Sequence, residues 1–371
     1  MKLVIFGLTI SSSWGNGHAT LWRGLCAALA RRKHRVVFFE RDVPYYAMHR
    51  DLNEIPGGKL IIYSDWRAAL DQARDHLADA EVAVVTSYCP DGISASELVL
   101  DSAALKVFYD LDTPVTLEHL SKGMPLSYIG SDGLRGFDLV LSYTGGAAAE
   151  ELRSQLGACR VAPLYGSVDP TVHRPVAAAE RYRADLSYIG TYAEDRQEYL
   201  DTLFLEPARR MPERRFLIAG ANYPPTFAWS ENLFFVQHIS PPDHSALYSS
   251  SRLTLNVTRR AMARMGYCPS GRLFEAAACG TPVLSDVWEG LETFFEPERE
   301  ILLARHTDDT IRALRMADDE LERIGRRARE RAVTEHSATG RAQQLEEILT
   351  AARQREFSQA ATAPAALGPE N

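Results

Sequence analysis

Lysine runs out early in this chain of 371 residues: there are five, and the last is Lys122. A cofactor carried on a lysine as a Schiff base has no anchor beyond that point. Cysteine is equally sparse. Five occur, widely spaced and without a Cys-x-x-Cys pair, which argues against a zinc ribbon or a disulfide framework. Cys26, Cys89 and Cys279 stand in apolar surroundings and read as small buried hydrophobes. A basic excess is missing too: the net charge of −8 argues against a general nucleic-acid binder. No apolar run approaches the length of a membrane span, and the opening segment reads as a strand rather than a signal peptide, so the expected location is the cytoplasm. Neither Gly-x-Gly-x-x-Gly nor a P-loop occurs, which weakens any case for an NAD-dependent dehydrogenase.

What is present is ordinary globular material, 46% hydrophobic and 24% charged, long enough for two cores. Buried strands are expected at residues 3–8, 36–39, 60–63, 82–86, 106–109 and 139–142, with helices at about 20–33 and 67–77. Turn residues and three prolines then fill 157–175, which reads as a linker. The rhythm restarts with strands at 186–190, 216–219, 234–238, 253–257 and 281–285. Helices are expected at about 307–317, 319–335 and 337–353. Repeated strand–helix alternation predicts parallel sheets, whose carboxyl ends share one rim where ligands bind.

Polar residues recur at that rim. The first loop holds Gly15, Asn16, Gly17 and His18; His18 reads either as a base or phosphate donor or as a cap on the following helix. Tyr88 follows the fourth strand. Asp110 and Asp112 follow the fifth, as an acid/base pair or as turn and helix caps. Thr144, Gly145 and Gly146 follow the sixth. The polar, aromatic segment 40–52 reads as an acceptor-binding loop or a brace. In the second half, Arg196 opens a helix, Arg259 and Arg260 follow a strand, and each is suited either to a diphosphate or to solvent.

The densest stretch runs from Tyr267 to Asp286. Ser270 suits a helix N-cap, Gly271 permits close approach of a ligand, and Gly280 followed by Pro282 marks the stop. A helix start of this kind attracts anions, and the Arg272 guanidinium adds a fork suited to phosphate. Glu275 lies one turn in, where a capping box would not put it. Its carboxylate can accept from a vicinal diol such as a ribose, or it is a solvated acid.

The run Phe274-Glu275-Ala276-Ala277-Ala278-Cys279-Gly280-Thr281-Pro282-Val283 resembles the nucleotide-sugar signature of GT-B glycosyltransferases with a group-1 C-terminal domain. The run Pro269-Ser270-Gly271-Arg272-Leu273-Phe274-Glu275 is similar to the CgeB-like, spore-maturation-protein-like branch, and the resemblance extends over about residues 1–350. It implies an α/β fold of GT-B type: two facing Rossmann-like domains with a cleft between them, an acceptor-side domain at 1–168 and a donor domain at 169–335. A helix at 336–355 would cross back, leaving 356–371 as a flexible tail.

On that resemblance Glu275 would bind the donor ribose and Arg196 the diphosphate, with Arg259, Tyr267, Ser270, Gly271 and Arg272 completing the donor site. Tyr267 departs from the family, which places a sugar-contacting glutamate there. His238 and His244 flank a turn that approaches the base in the family; His244 itself reads as local structure. The implied activity moves a sugar from a nucleotide-diphosphate sugar, UDP by default, to a glycan, small-molecule, lipid or protein acceptor. It implies retention, no metal and no cofactor, with His18, Asp110 and Asp112 as the catalytic candidates. The alternatives are a non-catalytic nucleotide-sugar or glycan-binding module and a GT-B sugar epimerase; a phosphorylase would need a second-domain lysine that the chain lacks.

Overall fold

The computed structural model describes residues 1–362, with side chains described through Gln354. Seven strands form the first sheet: β1 (Lys2–Gly7), β2 (Arg35–Arg41), β3 (Lys59–Tyr63), β4 (Val82–Thr86), β5 (Leu105–Asp110), β6 (Leu139–Ser142) and β7 (Val161–Pro163). Six form the second: β8 (Leu186–Ile189), β9 (Phe216–Gly220), β10 (Leu233–Gln237), β11 (Thr254–Asn256), β12 (Val283–Ser285) and β13 (Leu302–Leu303). All pairings within the two sheets are parallel, in the orders β3-β2-β1-β4-β5-β6-β7 and β10-β9-β8-β11-β12-β13.

The near-continuous apolar strands follow from this, because helices cover both faces of a parallel sheet. Along β1, Leu3 and Ile5 enter one core while Val4 and Phe6 enter the other. The strand order reverses between β1 and β4 in the first sheet and between β8 and β11 in the second, which opens a crevice at each carboxyl rim. Two short strands escape sequence reading. β7 lies inside the proline-rich segment expected as linker, and β13 has only two residues.

The final helix, Ala338–Thr362, crosses back to the first domain. Ala338, Ala342, Leu345, Leu349 and Ala352 belong to the same core as Leu21, Leu25 and Leu29 of the His18–Arg31 helix. Gly24 admits the close approach, since a Cβ there would stand 3.4 Å from that of Ala338. The two chain crossings run side by side, with Val168 N–H donating to His336 O at 2.9 Å and Ala338 N–H to Val168 O at 2.7 Å. The helix passes the expected bound at residue 355, so the first part of the expected tail is helical through Thr362; residues 363–371 lie outside the described residues. Among the described residues no helix is long and apolar enough to cross a membrane.

Candidate functional site

At the first switch point, the β1 loop is closed by the first residue of the segment 40–52, in the bracing sense of its two expected roles. Glu40, fully buried, accepts from Thr9 Oγ1 (2.8 Å), Ser11 Oγ (2.5 Å), Ile10 N–H (2.8 Å) and Ser11 N–H (2.9 Å). Four donors on one carboxylate fix the backbone leading to His18. Asn16, expected as part of a ligand loop, takes the structural role: its Oδ1 accepts from Ala19 N–H at 3.1 Å while its amide donates back to Ser12 O at 3.1 Å. Gly15 has φ +66 against the Tyr45 hydroxyl, whereas Gly17 faces open space.

Because Asn16 caps the helix, His18 is released from that duty. Its Nε2 lies 2.7 Å from Asp112 Oδ2, and its Nδ1 is buried with no partner. With Nε2–H donating to the carboxylate, Nδ1 carries the lone pair of a base. The two acids after β5 therefore have different surroundings. Asp110 is fully buried and accepts from Asp112 N–H and Thr116 Oγ1, both at 3.1 Å, while its Oδ2 has no partner. Burial pushes its carboxyl up to about 6, against the lowering pull of these bonds. Asp110 thus organises the turn, and Asp112 addresses His18. Tyr88 sits beside them with φ 60, its ring 6.2 Å from that of His18; burial and the two carboxylates push its phenol up to about 12.

At the second switch point the helix Gly271–Ala278 starts at Ser270. Ser270 makes no side-chain capping bond; its hydroxyl instead accepts from Arg272 Nε at 3.0 Å. Arg272 departs most from the sequence-based expectation. Its Nη1 donates to Ile189 O at the end of β8 (2.5 Å) and its Nη2 to Val257 O just beyond β11 (3.1 Å). The guanidinium is a clamp across the crevice, held inward by carbonyls, and not an open phosphate fork. Arg196 keeps more in reserve: Nη1 donates to Thr191 O at 3.1 Å, and its Nε has no partner. Arg259 and Arg260 are committed to carboxylates, Arg259 Nε to Asp195 at 3.2 Å and Arg260 Nη2 to Glu198 at 2.9 Å.

Glu275 is 7% exposed, which removes the solvated alternative. Burial alone would raise its carboxyl; His173, His244 and Arg272 outweigh that and hold it down to about 2. Its Oε2 lies 3.5 Å from His244 Nδ1, while its Oε1 faces the helix start, 3.7 Å from where a Gly271 Cβ would stand. His244 thus belongs to the site rather than to local structure alone. Neither it nor His173 carries a local signal, since the three residues come from separate segments.

The remaining expected positions form the domain junction. Tyr267 has φ 45, and its carbonyl accepts from Gly145 N–H at 3.0 Å. A Cβ on Gly146 would stand 2.6 Å from its Cδ2, and one on Gly290 2.4 Å from its Cδ1. The ring is wedged between a glycine from each domain. Gly145 and Gly146, expected as an acceptor or phosphate loop, are small because Tyr267 and Tyr165 fill the space. A second bridge sets Trp14 against His49, stacked at 3.7 Å, and against His238, tilted at 4.0 Å.

Solved structures share this fold across nearly the whole chain. Sucrose-phosphate synthase from Thermosynechococcus elongatus matches with a TM-score of 0.68 at 15% identity, covering 96% of this chain and 99% of that one. An alpha-glucosyltransferase solved with UDP and DNA matches at 0.68 and 13% identity, covering 94% and 99%. The fold is GT-B. Anabaena HepE, solved with UDP-glucose, matches this GT-B chain at 0.64 and 12% identity, covering 95% and 100%. The family model described as glycosyl transferase-like matches residues 196–347, the GT-B half that holds Arg196, Arg272 and Glu275. No curated protein matches the chain.

Proposed function

We propose that this chain is a glycosyltransferase of the CgeB-like branch. It moves a sugar from a nucleoside-diphosphate sugar, with UDP as the default nucleotide, to an acceptor held by the first domain. The observation that carries this reading is Glu275: a buried carboxylate one turn into a helix beside the β8/β11 switch point, with one oxygen turned to the helix start. That oxygen accepts from the ribose diol. The first N–H groups of the Gly271–Ala278 helix, which Ser270 leaves uncapped, and the free Nε of Arg196 take the diphosphate. Arg272 acts at one remove, holding the two strand ends that shape the crevice.

Rate enhancement comes from these preorganised donors as charge grows on the leaving diphosphate, with no metal required there. Transfer proceeds with retention. The acceptor proton goes to the departing phosphate or to His18 Nδ1, whose other nitrogen Asp112 holds. The wedge at Tyr267 closes the domains and limits hydrolysis of the donor.

The test is thermal stabilisation by a panel of nucleotides and nucleotide sugars on the wild type and Glu275→Ala, followed by nucleotide release from the selected donor. One nucleoside diphosphate is expected to raise Tm by several degrees, with affinity at least about tenfold weaker in the variant. No shift with any nucleotide would overturn the donor assignment. Binding of a nucleotide sugar without turnover would favour a non-catalytic binding module, the reading that Tyr267 in place of the family's glutamate allows.

A further inference from the structure

Behind Glu275, on the side away from the helix start, lies a cluster that the sugar-transfer reading does not use. His173 comes from the interdomain linker, His244 from the helix Pro241–Ser250, and Glu275 from the helix Gly271–Ala278. One ligand atom from each lies within 4.8 Å of the other two. His173 is 2% exposed, and neither ring nitrogen has a hydrogen-bond partner. An imidazole buried without partners loses its hydrogen bonds to water and gains none in return, which is unfavourable. The local frame nevertheless holds it there. His173 N–H donates to Asp169 O at 2.9 Å, and Ser245, the neighbour of His244, grips the chain on both sides: its hydroxyl donates to Val172 O at 2.8 Å and accepts from Arg174 N–H at 3.3 Å.

The tautomer of His244 sharpens the problem. Its Nε2 lies 3.3 Å from Ile239 O, a carbonyl that can only accept. Nε2 therefore carries the hydrogen, and in the neutral ring Nδ1 is a bare lone pair. In the neutral ring that lone pair faces Glu275 Oε2 at 3.5 Å, so the contact needs either a proton on Nδ1 or a cation shared by the two atoms. A backbone carbonyl fixing one nitrogen while the other points at a carboxylate and a second orphaned imidazole is the outer-shell pattern of a metal-ligating histidine. The spacing agrees. Tetrahedral zinc with bonds of about 2.0–2.1 Å sets its ligand atoms roughly 3.4 Å apart, close to the His244–Glu275 separation of 3.5 Å, with the His173 ligand atom within 4.8 Å of both.

We propose that His173, His244 and Glu275 bind one divalent transition-metal ion, zinc by the chemistry of two imidazoles and a carboxylate. The ion ties the linker to the donor domain and fixes Glu275 through Oε2, leaving Oε1 toward the helix start. Its fourth position is open to water. The site is separate from the diphosphate and supplies no step of the transfer.

The experiment uses the full chain, stripped with chelator and returned to zinc alone. Metal content, calorimetric titration with Zn2+ and the visible absorption of the Co2+ form are read on the wild type, His173→Phe, His244→Gln and Glu275→Gln, with His306→Ala as a surface-histidine control. The expected result is one zinc per chain, a Co2+ band of four-coordinate intensity, and affinity at least about tenfold weaker in each of the three variants but unchanged in the control. Zinc well below one per chain in the wild type overturns the proposal, as does stoichiometric zinc undiminished in His173→Phe and His244→Gln. Should those variants not fold, a wild-type Co2+ spectrum lacking the four-coordinate band overturns it equally. It then also follows that a charged His244 pairs with Glu275 without metal. Nucleotide binding is measured separately on stripped and zinc-loaded protein. Zinc without nucleotide leaves the metal site standing and removes the donor reading; nucleotide without zinc does the reverse.

Discussion

At the scale of single residues, two arginines of the second half divide the labour that their chemistry shares. Both carry a planar fork, but Arg272 spends its three nitrogens on Ser270, Ile189 and Val257, while Arg196 retains an unpartnered Nε. Lysine cannot reproduce three divergent bonds. Arg272→Lys is therefore expected to lower stability by about 2–3 kcal/mol in the absence of any nucleotide, measured by urea unfolding. A pure phosphate contact would leave the unliganded protein unchanged. Asp110 gives a second residue-scale prediction. Its folded-state carboxyl is raised to about 6 by burial, from an ordinary value of 3.8. The native state thus holds a proton that the unfolded chain has released, so the stabilising contribution is complete below about pH 4 and is lost as pH rises through 6. Asp110→Asn should match wild type best near pH 4 and gain relative stability on the order of 2 kcal/mol by pH 8, read from unfolding midpoints across that range.

At the scale of elements, the junction rests on a tyrosine that only glycines can accommodate. Gly146→Ala puts a Cβ against Tyr267 at a φ of +57, and is expected to cost roughly 2 kcal/mol. In a Tyr267→Ala background the same change should cost clearly less, and a double-mutant cycle measures the difference. The strands and helices that build this junction were mostly legible: β1 to β6 and β8 to β12 all fall on the apolar runs, the central ones because a strand buried on both faces announces itself by composition, and the edge strands β3 and β10 although Ile62, Phe234 and Phe235 stay exposed. The helix stop at Gly280 was legible too, and the structure gives it φ +77 with Thr281 N–H donating to Ala276 O at 3.1 Å. Glu275 stood out because a carboxylate in that turn has no capping role. Partners were not legible. Glycine pairs read equally as ligand loops or as packing against a ring, and nothing near Gly145 distinguishes them without Tyr267 across the cleft. The inward turn of Arg272 depends on two carbonyls from distant strands. Glu40, His173 and His244 likewise acquire meaning only when separate segments meet.

At the scale of the whole molecule, the second crossing between domains is expected to respond to pH. His336 ends the helix Asp318–Glu335, is 7% exposed, and donates from Nε2 to Phe294 O at 3.0 Å. Burial lowers its imidazole to about 4, with Arg341 and Arg331 adding to the effect against the raising influence of the Phe294 bond. Stability from this residue is present above pH 6.5 and is lost as pH falls through 4, because the unfolded chain takes up the proton first. His336→Gln keeps a donor for Phe294 without titrating, so its unfolding midpoint should fall less steeply than wild type between pH 6.5 and 4.

The helix that follows His336 completes the core of a domain begun more than three hundred residues earlier in the chain, with Leu345 and Leu349 filling the layer beneath Leu3, Ile5 and Trp22. Synthesis runs from the other end. The first sheet emerges from the ribosome with one face only partly covered, by the His18–Arg31 helix, and the rest of the cover arrives only after the second domain has been made. A fragment ending at Val168 is thus expected to show exposed apolar surface by dye binding and to lose it when a peptide of residues 337–362 is added. The order of assembly is inverted relative to the order of the chain: the domain that starts first is finished after the second, and the first half stays incomplete until the Ala338–Thr362 helix leaves the exit tunnel.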